Sequence, residues 1–136
     1  MTHPPRLRDV GFHDGELAVQ AQAGVSAAAA RLSGMLAPAE LRGGLARFLA
    51  ARTLAALTAR DHAGRLWISP LAGPAGFLAV TSPTTLTVDA APAAGDPLRA
   101  TPAGQPVGLL VIEFATRRRV RLNGTLTAAG PSRLRI

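Results

Sequence analysis

From Thr53 to Ile136 the chain is a succession of short runs of apolar, small and polar residues, most of them ended by a cluster of Gly, Pro, Asp or Ser. A side-chain period of two, broken by turn chemistry, is the mark of short, half-buried β-strands. The pattern predicts strands at Thr53–Arg60, Arg65–Leu71, Phe77–Ser82, Thr85–Asp89, Val107–Phe114 and Arg117–Ala128, with a further one beginning at Arg133. Asp61-His62-Ala63-Gly64, Ser82-Pro83-Thr84 and Ala129-Gly130-Pro131-Ser132 supply the turns. Val107–Phe114 is apolar on both faces, which predicts a central strand that an aspartate at Leu110 or Ile112 would unfold. Residues 90–106 carry four prolines and two glycines and read as a long loop.

Asn123-Gly124 tests this reading, because Asn-Gly between strand residues usually marks a two-residue hairpin. A hairpin there would oppose Leu122 to Thr125 and Arg121 to Leu126, mixing apolar and polar side chains on each face. One continuous strand instead puts Val120, Leu122, Gly124 and Leu126 on one face, and Arg119, Arg121, Asn123, Thr125 and Thr127 on the other. The continuous strand is therefore predicted, with Gly124 a bulge or a point of close approach.

Before Thr53 the period changes. Glu16–Ala23 reads as a short helix ended by Gly24, and Ala27–Leu32 as another turn or two. Pro38 suits a first helical position, and Leu41, Leu45, Phe48 and Leu49 share one face of a helix at 38–51, with Gly43-Gly44 a weak point. The expected organisation is an arm with a short helix at 1–37 and a β domain at 38–136. The fold class is mostly β, six or seven mainly antiparallel strands in a barrel, with one or two N-terminal helices.

With 136 residues, 48% apolar content and a mean hydropathy of +0.22, the chain can bury one core. It has no cysteine, which removes disulfides, thiolate metal sites and cysteine nucleophiles. His3, His13 and His62 are scattered, so no metal site is expected. Neither a nucleophile elbow, a phosphate loop nor a dinucleotide fingerprint is present, and no catalytic residue is assigned. With no apolar leader or membrane-spanning run, the cytoplasm is the expected compartment. All 15 basic residues are arginine and the net charge is +7. Arg117, Arg118, Arg119 and Arg121 could grip a phosphate or form a solvated strand face. Nucleic acid is disfavoured, because without tyrosine and with a single tryptophan there is no stacking surface.

Three segments carry a resemblance. Gly64-Arg65-Leu66-Trp67-Ile68-Ser69-Pro70-Leu71 with Gly73-Pro74-Ala75-Gly76-Phe77-Leu78 resembles the second and third strands of flavin-nucleotide-binding split β-barrels of the pyridoxamine-5′-phosphate-oxidase-like family. Phe114-Ala115-Thr116-Arg117-Arg118-Arg119-Val120-Arg121-Leu122-Asn123-Gly124 is similar to a basic strand of that group. Phe12-His13-Asp14-Gly15-Glu16 with Gln20 resembles the entry helix of one subgroup. The resemblance implies a split barrel, a homodimer and FMN at the subunit interface, in a flavin-dependent oxidoreductase of unknown substrate. It implies main-chain contacts to the flavin ring from Trp67, Ile68, Ser69, Pro70 and Leu71, and phosphate or ring-edge contacts from Arg65, Arg117 and Arg119. Many relatives place a base where Pro70 and Leu71 stand and further bases where Asp89–Gly95 stands, and they continue past Ile136 with a strand and ligand-contacting tail. The alternative is a non-catalytic ligand-binding or dimerisation module that has lost the phosphate site.

Overall fold

A computed structural model describes residues 11–36 and 40–136. The chain divides into two compact units, Met1–Ala39 and Glu40–Ile136.

The first unit holds α1 (Asp14–Gln22), α2 (Ser26–Ala30) and a 3₁₀ turn at Ser33–Leu36. The N-cap of α1 is His13. The Glu16 backbone N–H donates to its Nδ1 at 3.2 Å, and the His13 N–H donates to the Glu16 carboxylate at 2.9 Å. Two orphan donors are thus satisfied reciprocally by an unusual capping residue. Neither helix buries a residue.

The second unit opens with α3 (Gly43–Ala50), shorter than the helix expected at 38–51. Residues 38 and 39 of that expectation lie outside the described residues. Gly43-Gly44 stands at the helix start rather than in its middle. Phe48 and Leu49 are the buried side chains of α3, which packs against the third strand below.

The strands are β1 (Leu54–Arg60), β2 (Leu66–Ala72), β3 (Leu78–Ser82), β4 (Thr85–Val88), β5 (Gln105–Glu113), β6 (Arg118–Leu126), and the two-residue β7 (Ala128–Ala129) and β8 (Leu134–Arg135). They form two four-stranded sheets, ordered β2-β1-β5-β6 and β3-β4-β8-β7, with every pairing antiparallel. The protein is mostly β, and no hydrogen-bonded closure of the two sheets into a barrel is found among the described residues. Both sheets supply one core: Leu57, Leu71, Leu109 and Val111 from the first, Leu78, Leu86, Val88 and Leu134 from the second, with Leu98 from the long connection. No helix among the described residues is long and apolar enough to cross a membrane.

β6 runs unbroken through Asn123-Gly124, pairing residue for residue with β5. A Cβ on Gly124 would come within 2.8 Å of Ile136 Cγ2, so the glycine marks a close approach rather than a bulge. At Gly73 a Cβ would meet Phe77 Cβ at 2.6 Å, and the Gly76 N–H donates to the Ala50 carbonyl at 2.7 Å. The Gly-Pro-x-Gly-Phe-Leu run is therefore the tight corner that carries the chain from the first sheet to the second. The 89–104 connection is anchored: Leu98 is buried, and Asp96 accepts from the Ser69 hydroxyl at 2.6 Å and from the Leu98 N–H at 2.7 Å.

A further expectation, that Leu110 and Ile112 are core positions, also fails. β5 is central, but Leu110 and Ile112 do not line the core. Val107, Leu109 and Val111 point inward, while Leu110 and Ile112 are half-buried on the outer face of the first sheet. Apolar character on both faces of β5 reflects an apolar outer surface, not burial on both sides.

Candidate functional site

The outer face of the first sheet is where the molecule presents chemistry to solvent. Strand parity puts Leu66, Ile68 and Pro70 of β2 on it, with Leu54, Ala56 and Thr58 of β1, Gly108, Leu110 and Ile112 of β5, and Arg119, Arg121 and Asn123 of β6. Register aligns them in rows across the sheet. One row reads Pro70, Ala56, Leu110, Arg121 and the next Ile68, Thr58, Gly108, Asn123. Ile68 is 71% exposed, Leu66 61% and Phe114 72%. Large aliphatic and aromatic side chains left open together on one sheet face, with arginine at its border, characterise an interaction surface.

Two depressions lie on this face. The first, of about 230 Å³, is lined by Leu54, Ala56, Ile68, Pro70, Ile112 and Phe114 and is almost wholly apolar. Arg119 stands opposite Ile112, beside it. The second, of about 440 Å³, is lined by Thr58, Leu66, Pro106, Gly108, Arg121 and Asn123. No carboxylate among the described residues pairs with Arg119 or Arg121.

Each end of the sheet is closed by a carboxylate. Asp61, buried in the β1–β2 turn, accepts from the Ala63 and Arg65 N–H groups, from Arg65 Nε at 2.9 Å and from Trp67 Nε1 at 3.0 Å. Burial pushes its pKa up, but these four donors outweigh it and hold the carboxyl at about 2. At the opposite end Glu113 accepts from the Thr116 hydroxyl and from Arg52 Nη1. Those two hydrogen bonds, against the cost of burial and with the nearby charges of Arg52 and Arg118, lower its pKa. The guanidinium groups of Arg52 and Arg118 lie 4.8 and 4.6 Å from the Phe48 ring centroid, fixing α3 to this end of the sheet.

The residues expected to hold a flavin are therefore divided. Ile68 and Pro70 face outward beside the apolar depression. Ser69 and Leu71 face inward and are buried, Ser69 bonded to Asp96 and Leu71 in the core. Trp67 is 39% exposed and tied to Asp61. Arg65 is paired with Asp61 and lies 5.8 Å from the Trp67 ring. Arg117 sits in the β5–β6 turn with φ +55°. Arg65 stands one residue past the Arg60–Leu66 pair and Arg117 lies beyond Glu113, so the two are about 26 Å or more apart along the strands at ~3.3 Å per residue. They cannot grip one phosphate in a single chain. Because β2 ends the strand order of its sheet, main-chain groups on one side of it face outward.

Leu54, Thr58, Phe114 and Asn123 were not among the site residues expected from the sequence, although Phe114 and Asn123 lie in the segment similar to the family's basic strand. The signal for Asn123 and Arg121 is their shared parity on β6. Thr58 joins them only through the pairing of β1 with β5, which no local pattern reveals. Among the described residues no group of three His, Asp or Glu is placed to hold a metal ion. The chain matches no protein-family model, no curated protein and no solved structure.

Proposed function

We propose that the protein binds FMN on the outer face of the first sheet, as a homodimeric flavoprotein of the pyridoxamine-5′-phosphate-oxidase-like split-barrel kind. The observation that carries this is the apolar depression alongside β2, the strand the family resemblance assigns to the flavin. Its walls of Leu54, Ala56, Ile68, Pro70, Ile112 and Phe114 suit a planar, largely apolar ring. The outward main-chain groups of β2 are available to the ring's polar edge, and Arg119 to the phosphate. The flavin, when bound, supplies the redox chemistry of an oxidoreductase, and the protein binds it, orients it and excludes water. A second copy on the same face would cover the exposed Phe114 and Leu66.

The fit is better for the ring than for the phosphate. Arg65 is already paired with Asp61, and Arg117 is remote from β2. Arg119, the one arginine beside this depression without a carboxylate partner among the described residues, gives a phosphate fewer charge-assisted bonds than it commonly receives, so affinity in the micromolar range is expected. The same shortage favours the second reading, a ligand-binding or dimerisation module without catalysis. Fluorescence of Trp67, the sole tryptophan, separates the two. Saturable quenching by FMN, with riboflavin weaker, supports the flavoprotein. Absence of saturable quenching overturns it and leaves the module. Sedimentation showing only monomer at micromolar concentration overturns the homodimer.

A further inference from the structure

We infer that the second depression, between Thr58, Gly108, Arg121 and Asn123, is a binding site for an oxyanion carried on an apolar body, a phosphate or a carboxylate. The site is built by register. Thr58, Gly108 and Asn123 stand side by side on β1, β5 and β6, so the row has a polar side chain at each side and no side chain at its centre. The result is a hollow of about 440 Å³ whose floor is the Gly108 backbone. Its rim offers a hydroxyl, an amide and a guanidinium, each able to donate to an oxygen anion. Leu66 and Pro106 form the apolar wall on the side away from Arg121.

The charges around the hollow select the sign of the ligand. The candidate carboxylates are engaged elsewhere: Asp61 with Arg65 and Trp67, Glu113 with Arg52 and Thr116. Arg60, the other cation near this end, donates to the Gly64 carbonyl at 2.7 Å. Among the described residues Arg121 is left as a cation without an acidic partner, with Arg119 two residues away on the same strand face. Among the described residues, an anion lodged there meets the Arg121 guanidinium, the Thr58 hydroxyl and the Asn123 amide, and no acidic side chain.

The binding claim needs only these residues. Combined with the flavin reading, on which this next step rests, it makes the second ligand an anionic substrate lying along the sheet from the flavin ring.

The experiment is a backbone-amide NMR titration of the full chain with phenyl phosphate, benzoate and neutral phenol. Saturable shifts are expected at Thr58, Gly108, Arg121 and Asn123 with one or both anions and not with phenol; the tighter anion identifies the headgroup. Arg121→Gln should raise Kd at least tenfold, while Arg135→Gln, the same charge change on β8, should leave it within twofold. Gly108→Ala is a second variant. Its Cβ would meet Asn123 Oδ1 at 3.6 Å and Thr58 Cβ at 3.8 Å, ordinary contacts, so the fold survives while the floor is filled and binding weakens. Equal binding of phenol, equal damage from Arg121→Gln and Arg135→Gln, or unaltered affinity in Gly108→Ala overturns the site. Its failure would leave Trp67 quenching by FMN untouched, and the failure of quenching would leave this titration untouched.

Discussion

The two faces of the first sheet are made of similar residues and have opposite fates. Inside, Ala55, Leu57, Leu71, Leu109 and Val111 are sealed against the second sheet. Outside, Leu54, Leu66, Ile68 and Phe114 stand open beside two depressions. Hydrophobicity alone does not separate the faces. What separates them is whether a second layer of this chain lies above. An outer face kept apolar where polar residues would cost nothing in folding, with arginines along β6, is the basis for the proposed binding of an anionic ligand.

The sharpest way to break this comparison is to place a carboxylate on each face of β5. Leu109→Asp buries an unpaired charge at a site 1% exposed and should abolish cooperative unfolding, a loss of more than about 4 kcal/mol. Leu110→Asp, one residue on, faces outward opposite Arg121 and should keep a cooperative melt, at a cost of about 1 kcal/mol or less. Equal collapse of both would mean that the outer face is not a surface. Denaturant unfolding followed by circular dichroism decides between these outcomes.

Gly73→Ala should come next. Its Cβ would press on Phe77 at 2.6 Å, and overpacking of this kind costs about 1–3 kcal/mol. A melting temperature equal to that of the parent would show the corner between the sheets to be looser than its geometry.

Asp61 sharpens the comparison at the sheet's end. Its folded pKa of about 2 lies below the ordinary aspartate value of 3.8, so it contributes stability that is complete above pH 4. That contribution is lost as pH falls from about 4 through 2, because the unfolded chain takes up the proton first. Glu113, also lowered, loses its contribution as pH falls below the usual glutamate range. Asp61→Asn should flatten the fall of melting temperature between pH 4 and 2, and an unchanged acid limb would contradict the four-donor arrangement. The smallest effect is expected at Arg117, exposed and at φ +55°, where Arg117→Gly should relieve about 1 kcal/mol of backbone strain. Destabilisation instead would assign its side chain a structural contact.

Much of the strand layout was legible because alternation is local. Val120, Leu122, Gly124 and Leu126 declared one face of β6 without knowledge of its partner, and that outweighed a turn-forming Asn-Gly pair. Gly24 after α1 and the Asp61–Gly64 turn were legible for the same reason. The site was less so. Leu110 and Ile112 read as core because apolar residues on two faces look the same whether the second face is buried by the chain or left bare. The row of Thr58, Gly108 and Asn123 joins three strands distant in sequence, and such a register is settled only by packing. Ser69 and Leu71 share a strand with Ile68 and Pro70 yet face the other way, a consequence of parity that a list of neighbouring residues hides.

The position of β1 between β2 and β5 has a kinetic consequence. β2 follows β1 after a tight turn and can zip onto it early. β5 arrives only after the corner at Gly73, a second hairpin and the whole 89–104 connection, and long closures of this kind are slow. Until then β1 keeps one bare edge, and β5 shows apolar side chains on both sides. Strands in that condition pair readily with other molecules. Arg60 at the end of β1 and Arg117, Arg118 and Arg119 at the start of β6 place positive charge next to those bare strands, repelling a second chain in the same state. Neutralising the arginines to glutamine should therefore lower the yield of refolding at high protein concentration, measured by light scattering, far more than it lowers the melting temperature.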